Sequence, residues 1–90
     1  MVTSEVVPAR TIKTYSMTFL GGEVAVVAVV GDGDTDLDLE VYDAFGNLVA
    51  SDHGPTDTAV VRFFPLFTQV YTVKVINHGY VHNRFSLGNN

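Results

Sequence analysis

Apolar residues in this chain either alternate with polar ones or run unbroken for up to seven positions, and never recur at intervals of three and four. A period of two belongs to strands and a period of 3.6 to helices, so the chain is confined to all-β folds with no significant helix. Gly, Pro, Asn and Asp clusters interrupt the apolar runs about every ten residues, the rhythm of short strands in a sandwich or barrel. Strands are expected near Arg10–Phe19, Glu23–Val30, Asp36–Asp43, Leu48–Ser51, Thr58–Phe64, Val70–Asn77 and Arg84–Leu87. The expected architecture is an antiparallel β-sandwich, jelly-roll-like, of seven to eight strands.

The patterns also assign faces. EVAVVAVVG is apolar on both faces, as a central strand would be, whereas Leu37, Leu39 and Val41 point inward while Asp36, Asp38 and Glu40 point out. Tyr71, Val73 and Val75 form another inward row. Gly46 and Asn47 should supply positive φ in a hairpin, Gly54-Pro55 breaks the chain, and Pro65 ends a strand because it has no ladder donor.

Ninety residues make one small domain with one core and little room for a deep catalytic cleft, so an enzyme is not expected. With no cysteine there is no disulfide, zinc ribbon or thiol nucleophile. Ten acids against five bases give a net charge of -5, which repels phosphate backbones, and no basic cluster offsets it, so nucleic acid is excluded as a partner. The longest apolar stretch, Val24 to Val30, is far too short to span a bilayer as a helix, and no membrane insertion is expected. The first residues, MVTSEVVPAR, do not form a signal peptide. The chain reads as a domain of a longer protein: a flexible lead over 1–9, a sandwich over 10–88 and a tail at 89–90, monomeric when isolated.

Eight of the ten acids fall between Asp32 and Asp57, five of them in the run GDGDTDLDLE. Carboxylates two apart on a strand share a face at roughly 6.5 to 7 Å, so solvent, backbone donors or a cation must relieve their repulsion. Calcium accepts six to eight oxygens in irregular geometry and is the natural cation, with Asp34, Asp36, Asp38 and Asp52 as candidate ligands. A helical calcium loop starting at Asp32 fails, because Leu37 stands where glycine must turn and Asp43 where a bidentate glutamate belongs. The alternative is that Asp32 and Asp34 shape a turn while the strand acids form a solvated face.

Other constellations carry less. Ser51-Asp52-His53 holds the residue types of a hydrolase triad, but neighbours on an extended chain point apart. His78 and His82 have a zinc-pair spacing only on a helix, and Gly79-Tyr80 between them argues for a loop. Most aromatics are core by alternation. Phe64, Phe67 and Tyr80 are the candidates for an exposed patch that contacts a polymer or another domain.

The segments DTDLDLEVYDAFGNLVASD, DTAVVRFFP, QVYTVKVIN and RFSLG, from about Tyr15 to Leu87, resemble the bacterial pre-peptidase C-terminal domain. Asp36-Leu37-Asp38-Leu39-Glu40-Val41 fits that family's D-x-D-L-x-V strand and Ser51-Asp52 its S-D pair; Gln69-Val70-Tyr71 departs from it, since the family usually has Gly before the Tyr. The resemblance implies a non-catalytic accessory sandwich of exported bacterial proteins, often peptidases, whose setting is secreted, periplasmic or cell-surface. Its implied partners are the domains of the parent protein or an extracellular polymer such as collagen. It also implies calcium as the candidate cofactor, with Asp36 and Asp38 the residues that map onto the family's motif.

Overall fold

The computed structural model describes residues 2–33 and 36–90. Among the described residues there are eight strands: β1 (Val2–Val7), β2 (Ile12–Phe19), β3 (Ala25–Val30), β4 (Leu37–Tyr42), β5 (Leu48–Asp52), β6 (Thr58–Phe63), β7 (Gln69–Asn77) and β8 (Asn83–Asn89). They form two four-stranded antiparallel sheets, one in the order β1-β8-β3-β6 and the other β2-β7-β4-β5. Among the described residues only β4 and β5 are consecutive strands paired in one sheet, and every other connection crosses between sheets, so the two sheets form a β-sandwich.

Both inward rows are buried, side by side in one sheet. Leu37, Leu39 and Val41 of β4 and Val73 and Val75 of β7 are fully buried, against Val27 and Val29 of β3 and Phe85 and Leu87 of β8. Phe19, Phe63 and Tyr71 close one end of this core with ring centroids 5.0 to 5.8 Å apart, in edge-on and tilted contacts that suit the ring quadrupoles.

The expected lead is a strand. Residues 2–7 pair antiparallel with β8, Val7 opposite Asn83 and Val2 opposite Gly88, and Val7 is fully buried. A short edge strand that borrows its ladder from a distant segment has no periodic signal of its own, and Pro8 just after it imitates a linker. The tail is likewise engaged: Asn89 ends β8, and the Asn90 side chain bonds Val24 O and Val26 N–H.

Antiparallel registers divide the loops between two ends. One end, here the asparagine end, carries the connections at 8–11, 31–36, 53–57 and 78–82; the other, the aromatic end, carries those at 20–24, 43–47 and 64–68. The hairpin at the aromatic end turns on Gly46 at φ 87, while Asn47 instead bonds the Asp43 carboxylate that organises the turn. Gly21 is required by close approach: a Cβ there would collide with the Phe67 backbone, so the 20–24 loop can lie directly on the 64–68 loop.

Candidate functional site

Two surfaces hold the residues that could do chemistry or binding, one at each end. Near the asparagine end, Asp36 directly precedes β4, and within β4 Asp38 and Glu40 alternate with the inward Leu37, Leu39 and Val41, but Asp38 is only 6% exposed. The loop after β7 folds across it, so that His78 Nε2 sits 2.7 Å from Asp38 Oδ2 and His78 N–H donates to Asp36 O. Asp38 is therefore covered, where alternation alone gives an open acidic face. Asp36 Oδ1 and Asp38 Oδ1 are both buried and, among the described residues, have no hydrogen-bond partner.

Asp52, another candidate ligand, has a different task. Its Oδ1 accepts from Gly54 N–H and its Oδ2 from Val60 N–H, each at 3.0 Å. The Val60 N–H, the Gly54 N–H and the nearby His53 hold its carboxyl below the usual aspartate range, against a smaller opposing effect of burial. Asp34 lies outside the described residues. Among the described residues no group of three or more His, Asp or Glu is arranged to hold a metal.

Further residues at this end organise its loops. Asn77, almost fully buried, donates from Nδ2 toward Val7 O, Pro8 O and Val81 O and accepts Gly79 N–H at Oδ1, 2.8 Å away. Asn83 accepts Asp32 N–H and donates to Asp57 Oδ2, which also receives Gly33 N–H. Arg10, at φ 58, donates to His78 O and lies 5.2 Å from the Tyr80 ring centroid, a cation–π clasp between the first and last loops. None of these roles has a spacing signature; the sole cue is that a polar residue closes an apolar strand in VKVIN.

The outer face of the β2-β7-β4-β5 sheet carries a chain of contacts: Lys74 Nζ lies 4.7 Å from the Tyr42 ring, Tyr42 OH donates to Glu40 Oε1, and Glu40 Oε2 meets His53 Nε2 at 3.0 Å. His53 thus turns to Glu40 rather than to Ser51 or Asp52.

At the aromatic end, Phe64 and Phe67 are exposed, at 57% and 55%, and frame a hollow of about 280 Å³ with Phe45, Val49 and Leu66, floored by Tyr71. The structure does not bring Tyr80 to them. Phe64 and Phe67 precede β7 and Tyr80 follows it, so the nine residues of that strand, roughly 30 Å at strand rise, set them at opposite ends. Phe45, read as core, is 76% exposed because it sits at the tip of a tight hairpin, where side chains point to solvent. That turn signal, Gly46 beside it, was available in the sequence.

No family model matches the chain, and no curated protein does. Among solved structures the chain is similar to the pre-peptidase C-terminal domain of the collagenase from Bacillus anthracis, with a TM-score of 0.70 and 12% identity over 98% of this chain and 88% of that one. The fold is that of a pre-peptidase C-terminal domain.

Proposed function

We propose that this domain is a non-catalytic accessory module of a larger exported bacterial protein, a peptidase foremost, and that it works by contact through its aromatic end. The observation that carries the reading is the corner of Phe45, Phe64, Leu66 and Phe67, bulky apolar side chains held in solvent around a hollow above a well-packed aromatic core. The fold likeness supports it, since the similar domain is part of a collagenase. Extracellular polymer and parent-protein domains are the surfaces such a corner suits. The test is co-sedimentation with fibrillar collagen as the first polymer probe, beside a peptide-hydrolysis assay of the purified domain. The wild type should be retained and a Phe64→Ser/Phe67→Ser variant washed off with its fold intact. Equal retention of both would remove the corner from the role, and peptide turnover would overturn the accessory reading.

A second reading is favoured by one observation. The two unpartnered buried oxygens of Asp36 and Asp38 suit a calcium ion completed by backbone carbonyls, whereas Asp52, with both oxygens bonded to backbone donors, does not fit as a ligand. Calcium would there neutralise the acids at the start of β4.

A further inference from the structure

We propose that in free solution the aromatic corner is closed by a second copy of this chain, paired about a two-fold axis so that Leu66 of each copy enters the hollow of the other. This rests on reading the corner as the domain's contact surface and names its occupant when no polymer or parent domain is present.

Area is the first argument. With exposures of 76% for Phe45, 57% for Phe64, 86% for Leu66, 55% for Phe67 and 39% for Val49, the corner presents roughly 500 to 600 Å² of apolar side chain, taking about 200 Å² for a whole Phe. That is the upper end of what monomers expose in one patch, and about two-thirds of the ~800 Å² that each partner brings to a standard interface. The polar rim of Asp43 and Gln69 supplies part of the remainder.

Shape and charge then favour a second copy. A two-fold interface must be self-complementary, and this corner offers a protrusion, Leu66, beside a cavity of about 280 Å³, ample for one leucine side chain. No lysine or arginine lines the hollow. Its only carboxylate, Asp43, faces its own hairpin, accepting Phe45 N–H, Asn47 N–H and Asn47 Nδ2–H. Pairing two copies therefore sets apolar groups against each other at the centre. The repulsion left to overcome is long-range, between two chains of net charge -5, and salt screens it.

Sedimentation velocity from about 1 to 500 µM, at low and at 0.5 M salt, tests this. Interfaces this small are weak and transient, and the expected dissociation constant is on the order of 10 to 100 µM. The wild type should pass from one chain to two across that range, and added salt should shift the transition to lower concentration. Leu66→Asp should stay monomeric throughout with unchanged far-UV circular dichroism, and Phe45→Ser should weaken pairing at least tenfold. A wild type that stays monomeric at 500 µM in high salt overturns the proposal, as does a dimer that survives Leu66→Asp or a mass that grows past two chains. Collagen retention that depends on Phe64 and Phe67 in a wild type that never dimerises would overturn the second copy as occupant while upholding the corner as contact surface; a dimer lost in Leu66→Asp, without such retention, would uphold the second copy and remove collagen as a ligand of the corner.

Discussion

Asp52 Oδ2 accepts the backbone N–H of Val60 at 3.0 Å, and this bond joins the edge strand of one sheet, β5, to the edge strand of the other, β6. The same carboxylate holds the turn that follows, through Gly54 N–H. Asp52→Ala leaves both donors without their acceptor and should lower stability by about 1 to 2 kcal/mol. In a domain of this size each kcal/mol lowers the unfolding midpoint by roughly 4 to 8 °C. The pH dependence has a definite sign. The folded state depresses the Asp52 carboxyl below its unfolded value of about 3.9, so its contribution is fully present above that value and is lost as pH falls through the folded one. Urea midpoints of wild type and Asp52→Asn should differ at pH 7 and converge toward pH 2; a difference that persists in acid would show that ionisation has no part in the bond's strength.

Asn77 predicts the opposite slope. Its amide faces three carbonyl oxygens and one N–H in an almost fully buried setting, so Asn77→Ala strands several polar groups and should cost about 2 to 3 kcal/mol. Asn77→Asp places a carboxylate among those carbonyls, which favours its protonated form in the folded state. Its folded pKa is then raised, and stability is lost as pH rises above the unfolded value of about 3.9. Thermal midpoints of Asn77→Asp at pH 3 and pH 7 check this, with the midpoint at pH 3 higher relative to wild type at the same pH.

How much of this was legible depends on whether the signal was local. Leu37, Leu39 and Val41, and Tyr71, Val73 and Val75, are buried where the two-residue period puts them, because each strand packs one face on the core. Val2–Val7 gave no such signal, since its place is fixed by pairing with β8 some eighty residues away. Asp38 alternates outward as expected, yet no local pattern could show that the loop carrying His78 would cover it. Tyr80 is another kind of miss: a strand lies between it and Phe67 in the sequence itself, and one strand always reverses the end of an antiparallel sandwich. For the candidate metal ligands, spacing along the chain does not fix where the oxygens point. Asp52 stands beside Ser51 as the family pattern asks, but its oxygens are directed at backbone donors in its own turn and the neighbouring sheet.

The aromatic end should separate core from surface by mutation. Phe19 is buried against Phe63 and Tyr71, and Phe19→Ala should cost about 3 to 5 kcal/mol, for most domains of this size enough to unfold a large fraction at 37 °C. Phe45→Ser and Leu66→Ser remove side chains that are mostly in solvent and should change stability by no more than about 0.5 kcal/mol at concentrations where the chain is monomeric. Chemical denaturation at about 1 µM compares the three. A large loss for Leu66→Ser there would mean that the corner is part of the core and not a contact surface.

Calcium is the last outcome to expect, and Asp52 makes it specific. An unpartnered buried carboxylate oxygen costs stability unless something positive or hydrogen-bonding meets it, and Asp36 Oδ1 and Asp38 Oδ1 both stand in that position. An ion binding only the folded state adds about 2.7 kcal/mol at one hundred times its dissociation constant. Millimolar calcium should then raise the unfolding midpoint by roughly 10 to 20 °C over the value in chelator, at 4 to 8 °C per kcal/mol. Magnesium should do little, because it needs a compact octahedron and gives up its water reluctantly. Asp36→Asn should abolish the rise, whereas Asp52→Asn should start from a lower midpoint and keep it, its carboxylate being engaged with Gly54 and Val60. A calcium-induced rise lost equally in both variants would place Asp52 in the metal site after all, and no rise at saturating calcium would show that the two oxygens hold no calcium ion.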